Sequence, residues 1–350
     1  MTNDGTAGRR VKGAAMKTKM RSSIGLLAAA LVAGLTMSGA QAAEQWRMAH
    51  KMPPDSPEGL VFQRFADLAE EYSGGEIKIK IYPNEQLGKD DAVLEQLKIG
   101  TVQLYAEGST YMKKWVDDLD WIGAAFLFDD YAHWNRFVNS DMVRGWYETA
   151  ATEAGVGVLG DPTAVIRGPY RVMLANKDIK SFEDMQGIQL RMHPSKLAID
   201  TWVHLGADVK TLAWTDTYQA IDKKIVDAVN SPIALVESMR FYEVAPHIIR
   251  HDEYYQSIAF MMNQAAFDKL PENLQAALER AHAEVGIFSV ALMDKAAEES
   301  IARMKEKGVT FTAIDRRPFI EAMASFYQKM EQEGGLPEGF LAAVEAARAR

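Results

Sequence analysis

The chain has 350 residues, 48% of them hydrophobic and 25% charged, with no cysteine and a formal net charge of −9. That length allows one or two domains with a sizeable core, and the composition excludes disordered, collagenous and coiled-coil classes. Without cysteine there is no disulfide, thiolate metal site, cysteine nucleophile or lipid-modified N-terminal cysteine, and an acidic balance argues against nucleic acid as a partner.

The first element is a leader. Lys17, Lys19 and Arg21 precede the apolar run Ile24 to Met37, and Ala40-Gln41-Ala42 supplies a small-x-small cleavage site. Together these predict a secretory signal peptide over residues 1–42, because the run is shorter than the ~20 residues of a membrane span. The leader holds six basic residues and one acid, so the mature chain carries 33 positive and 47 negative groups, a net of −14. The expected product is an exported periplasmic protein that is not a lipoprotein.

The mature chain opens with a strand over Gln45 to Lys51 and a Pro-Pro loop. Ser56-Pro57 caps a helix whose Val61, Phe65, Leu68 and Tyr72 fall at helical spacing, and Gly74-Gly75 ends it. Ile77–Ile81 alternates as a strand, Asp91–Ile99 reads as a helix, and Val102–Ala106 as the next strand. The same alternation restarts near Tyr170, with strands at Arg171–Ala175, Ile188–Met192, Val209–Leu212 and Ile225–Val229, and helices between them. Two such runs predict two α/β domains with mostly parallel sheets. From Pro271 to Lys307 the only glycine is Gly286, which predicts a helix about 54 Å long that runs along both domains.

No dinucleotide fingerprint, phosphate loop, nucleophile elbow or zincin motif occurs. His247 and His251 are four apart, but a strand-like Ile248-Ile249 separates them and no third ligand is evident, so no metal and no cofactor are expected. The aspartates between Asp117 and Asp130 lack the spacing of a calcium loop and read as a solvated acidic face. Arg191 is different, since it interrupts the apolar Ile188, Leu190 and Met192 near the C-terminal end of a strand, where open α/β sheets gather their ligands. A guanidinium there needs an internal acid or a ligand anion, and its paired N–H donors match a carboxylate. His193 would face the same side.

At these residues the sequence resembles the solute-binding subunits of the tripartite ATP-independent periplasmic (TRAP) transporters, dicarboxylate type (DctP). The likeness runs from about Trp46 to Pro318 and is carried by Met48-Ala49-His50, Tyr82-Pro83-Asn84-Glu85-Gln86-Leu87-Gly88, Phe126-Leu127-Phe128-Asp129-Asp130-Tyr131, Ile179–Gly187, Gln189-Leu190-Arg191-Met192 and Phe241-Tyr242-Glu243-Val244. The resemblance implies a type II-like periplasmic-binding-protein clamshell, two α/β domains about a central cleft with a long helix spanning both. Domain I is expected to take residues 43–168 plus about 257–296, and domain II residues 169–256 plus about 297–350. It further implies capture of a small carboxylate and delivery to the membrane permease subunits; with no nucleophile–base pairing in the sequence no enzymatic activity is expected, and the expected state is a monomer.

By the same likeness Arg191 would pair with the ligand carboxylate, Arg171 would be a second arginine, and Trp214 an aromatic wall followed by Tyr218. His50 and Glu107 would face the cleft from domain I. Tyr170 and Arg167 would crowd the entrance to domain II. The family often reads Val-Asp-Gly-Gln-Glu-Asn-Pro where this chain has Val226-Asp227-Ala228-Val229-Asn230-Ser231-Pro232, so either Asn230 or Ser231 would supply the polar contact. Competing readings are a secreted enzyme that uses His193 with an acid, and a sensor subunit of a signalling receptor.

Overall fold

The computed structural model describes residues 43–348; the expected signal peptide lies outside them. The chain begins with β1 (Glu44–Ala49), α1 (Pro57–Tyr72), β2 (Ile77–Tyr82), α2 (Asp90–Lys98) and β3 (Leu104–Glu107). Ser56 caps α1 by accepting the Gly59 N–H through Oγ at 3.1 Å, as the Ser-Pro pair predicts. Two 3₁₀ turns over 109–123 lead to α3 (Tyr131–Val138), α4 (Asp141–Thr149) and β4 (Val156–Val158).

The second run comprises β5 (Arg171–Ala175), β6 (Gln189–Met192), α5 (Lys196–His204), β7 (Asp208–Thr211), α6 (Thr217–Asp222), β8 (Ala228–Pro232) and β9 (His247–Arg250). The chain then returns through β10 (Ala259–Asn263) and α7 (Gln264–Asp268). It closes with α8 (Glu272–Glu306), β11 (Thr310–Ala313), α9 (Arg317–Gln332) and α10 (Phe340–Ala347).

These strands form two sheets, ordered β2-β1-β3-β10-β4 and β11-β9-β5-β8-β6-β7. Each is the sheet of one lobe of an α/β clamshell. Both are mixed, which corrects the expected mostly parallel pairing. β10 runs antiparallel to β3 and β4, and β5 runs antiparallel to β8 and β9. The reason is that β5 and β10 are entered from the opposite lobe, and a strand arriving from the cleft must point away from it. The two crossing segments pair with each other through an antiparallel bridge between Ile166 and Ser257.

The long helix α8 has 35 residues and packs along α1 in the first lobe, while its distal half buries Ala297 and Met304 with the core of the second. Gly286 is the point of closest approach: a Cβ there would sit 3.0 Å from both the Cβ and the carbonyl oxygen of Ala164. Next to it, Ser289 Oγ accepts the Ile166 N–H at 3.1 Å, so α8 is tied directly to the crossing strand.

α9 packs on α5 of the second lobe, but α10 does not follow it. It lies on α3, where the His133 ring bonds the Val344 carbonyl at 2.8 Å and Arg136 Nε donates to the Ala347 carbonyl at 2.6 Å. The last helix of the segment expected in domain II therefore packs on a helix of the segment expected in domain I. No described helix is long and apolar enough to cross a membrane.

Candidate functional site

The cleft is built from one edge of each sheet. The C-terminal ends of β1 and β3 supply Lys51 and Glu107, and those of β6 and β8 supply Arg191 and Asn230. Because β5 is antiparallel, its first residue, Arg171, reaches the same edge that Arg191 reaches as the third residue of β6. The space between the lobes measures about 540 Å³ including its mouth, within the ~300–1,000 Å³ range of small-ligand sites. The lobes touch beside it through Lys89 and Asp216 at 2.7 Å, Thr215 Oγ1 and Glu85 at 2.7 Å, and Ser195 Oγ and Asp120 at 2.9 Å. Asp120 is thus a bridging acid, also 3.1 Å from Lys113, and not part of a solvated face.

Six of the ten predicted site residues line this space: Arg191, Arg171, Trp214, Asn230, Glu107 and His193. Arg191 is 5% exposed, and its Nε and Nη2 both donate to the Leu212 carbonyl, at 2.9 and 2.7 Å. Its guanidinium carbon is 5.4 Å from the Trp214 ring centroid. Among the described residues no carboxylate lies within 4.0 Å of it. Burial lowers its pKa, as it must for a charge that nothing nearby neutralises.

Arg171 differs. Its Nε donates to Glu253 at 3.2 Å and its Nη1 to Gln256 at 2.9 Å, and it stacks 4.3 Å from the Tyr254 ring centroid. Glu253 also accepts from Asn230 Nδ2 at 3.0 Å and from the Trp202 indole, which fixes the amide of Asn230 at the cavity wall. The Asn230 Oδ1 is held in turn by His251 Nε2 at 3.1 Å.

The remaining four predicted residues sit elsewhere. Alternation along β8 turns Ser231 away from Asn230, and its hydroxyl donates to the Pro232 carbonyl. His50 packs 4.6 Å from the Phe62 ring and accepts the Met52 N–H through Nδ1, while its neighbour Lys51 faces the cavity. Tyr170 lies under the Arg250 guanidinium at 3.9 Å. Tyr218, on α6, donates to Glu243 at 3.0 Å near the surface.

The first lobe contributes a buried charge network that sequence reasoning missed. Lys51 Nζ stands 2.8 Å from Asp90, 3.2 Å from Glu107 and 3.0 Å from the Tyr111 hydroxyl. Arg167 pairs with Glu58 through two contacts, at 2.8 and 3.0 Å, and with Glu107 Oε1. Burial by itself would raise Glu107, but Arg167 and Lys51 beside it hold its carboxyl well below the ordinary range. Glu58 goes the other way, pushed up by burial. Lys51 had a signal after all: it follows β1 by two residues, at the same kind of strand end that singled out Arg191.

His193 is kept neutral by burial and by the positive charges of Lys113, Arg191, Arg171 and Lys51. Among the described residues no hydrogen bond joins it to an acid, and its nearest aromatic neighbour is Tyr111, with ring centroids 6.1 Å apart. The Trp214 indole N–H is buried without a partner among the described residues.

A family model described as bacterial extracellular solute-binding protein, family 7 (DctP), matches residues 48–333. The chain belongs to that family. Its relatives include the C4-dicarboxylate-binding periplasmic protein DctP of Rhodobacter capsulatus, 28% identical over 94% of this chain and 99% of the relative. The sialic acid-binding periplasmic protein SiaP of Vibrio cholerae is 26% identical over 87% of this chain and 95% of its own length.

Solved structures of the same fold include a TRAP periplasmic solute-binding protein from Ochrobacterium anthropi with bound L-fuconate. It has a TM-score of 0.80 and 24% identity, covering 87% of this chain and 99% of that one. The sugar acid binding protein DctPAm from Advenella mimigardefordensis, in complex with galactonate, has a TM-score of 0.78 at 21% identity, covering 88% of this chain and 99% of the other. In this DctP family chain the clamshell architecture expected from the sequence is thereby established, with both sheets mixed.

Proposed function

We propose that this chain captures a small organic acid in the periplasm and hands it to the permease subunits of a TRAP transporter, acting as a monomeric receptor and not as an enzyme. Arg191 carries the reading. A buried guanidinium with no protein carboxylate costs several kcal/mol unless an anion completes it. A ligand carboxylate docked there takes two parallel N–H donors. Closure then removes water and strengthens the pair, so the acid favours the closed form through contacts the open form lacks.

The family membership and the relatives named for acids support the same assignment. A thermal-shift screen of organic acids, followed by calorimetry on the hits, tests it. Arg191→Gln is expected to weaken the best acid by at least about 100-fold, the scale of a lost buried charge pair. The apo melting temperature should hold or rise, because an uncompensated charge has been removed. Undiminished affinity in that variant would remove the anchor, and turnover of the acid would overturn the receptor role.

A further inference from the structure

The charges at the cleft wall can be matched pair by pair. Lys51 faces Asp90 and Glu107, Arg167 faces Glu58 and Glu107, and Arg171 faces Glu253. Three cations are therefore already committed to carboxylates of the protein. Arg191 is the one cavity-lining cation among the described residues with no carboxylate of its own. The other polar groups at the wall are neutral: the hydroxyls of Thr110, Tyr111 and Tyr254, the Asn230 and Gln256 amides, the His193 imidazole and the Trp214 N–H, which has no partner among the described residues.

We propose that this cleft selects a hydroxylated monocarboxylate over the dicarboxylate with the same carbon skeleton, and that Glu107 enforces the difference. This rests on the organic-acid reading above. One uncompensated guanidinium neutralises one carboxylate. A second carboxylate, at the far end of the ligand, would enter beside Glu107, whose oxygens are already taken by Arg167, Lys51 and the Gly108 N–H at 2.8 Å. Two buried like charges raise each other's cost, and no free cation remains on that wall. A hydroxyl at the same place is neutral and adds no like charge beside Glu107. Selectivity here comes from a repulsive element as much as from an attractive one.

Calorimetry at pH 7.5 on matched pairs decides the matter: D-gluconate against D-glucarate, D-galactonate against galactarate, with succinate and L-malate as short dicarboxylates. The expected result is an aldonate binding at least about 100-fold tighter than its aldarate, which is about 2.8 kcal/mol at 1.4 kcal/mol per tenfold. Glu107→Gln should narrow that ratio to about tenfold or less, with the aldarate gaining. Aldarate or succinate binding as tightly as the aldonate in the wild-type chain would overturn this inference and leave the organic-acid reading intact. Failure of all these acids would overturn it, and failure of every acid in the wider screen would overturn the underlying reading too. A folded Glu107→Gln protein that keeps the full ratio would remove Glu107 from the role. If that variant does not fold, the wild-type ratio alone still decides between the two ligand classes.

Discussion

Asn230 and Ser231 are neighbours of similar polarity, and the pleat of β8 separates their fates. Asn230 lines the cavity with its amide locked between Glu253 and His251, whereas Ser231 is fully buried on the other face and bonds only to the Pro232 carbonyl. We therefore expect Ser231→Ala to leave affinity for the best acid within about twofold, since that hydroxyl makes a single weak bond on the far side. Asn230→Ala should cost about tenfold or more and lower the melting temperature, because it strips Glu253 and His251 of a partner each. Calorimetry and differential scanning fluorimetry on the two variants separate these outcomes, and equal losses would show that the strand face does not decide the contact.

At the scale of elements, the long helix and the crossing strand act as one unit. Gly286 lets α8 approach Ala164, and Ser289 bonds Ile166, one residue before Arg167 of the charge network. Replacing Gly286 with alanine would gain about 1 kcal/mol of helix propensity, offset by a Cβ only 3.0 Å from Ala164. Leucine has no such balance. Gly286→Leu is expected to destabilise the protein by about 1–3 kcal/mol through overpacking. It should also weaken the acid, because the displaced segment carries Arg167. Urea unfolding measures the first effect and calorimetry the second. A Leu variant as stable as the wild type would mean the two elements are not in tight register.

Across the whole molecule, four histidines that burial keeps neutral set the response to acid, His193 of the cleft among them. Burial lowers His50 and His282 to about 4 and His251 to about 3. Below the ordinary histidine pKa of about 6.5 the unfolded chain takes up protons that the native state refuses. Stability therefore falls as pH drops from about 6.5 toward 4, by up to about 1.4 kcal/mol per pH unit for each histidine. Glu107 is displaced downward as well, but from the ordinary carboxylate range, so its contribution persists through this window and is lost only as pH falls through that lower range. The melting temperature should accordingly begin to fall below about pH 6.5. His251→Asn, less stable at pH 7.5, should show a shallower slope, and a flat wild-type profile between pH 6.5 and 5 would contradict the assignment.

The local elements were legible because their signals are local. The Ser56-Pro57 cap, the alternation of Ile77–Ile81 and the glycine-poor stretch after Pro271 each mark an element from short-range chemistry alone. Arg191 was legible for the same reason, as a charge that breaks an apolar strand at its ligand-bearing end. Tertiary structure decided what pairs over long sequence separations. It inserted β5 and β10 antiparallel, and returned α10 to the first lobe. It also turned Lys51 rather than His50 to the cavity, and bound Arg167 to Glu58 and Glu107, 109 and 60 residues away. Sequence alone determined that an arginine stands at the cleft edge. That Arg191 is the uncompensated one follows only from where every carboxylate comes to rest, because charge neutralisation depends on distance in space and not along the chain.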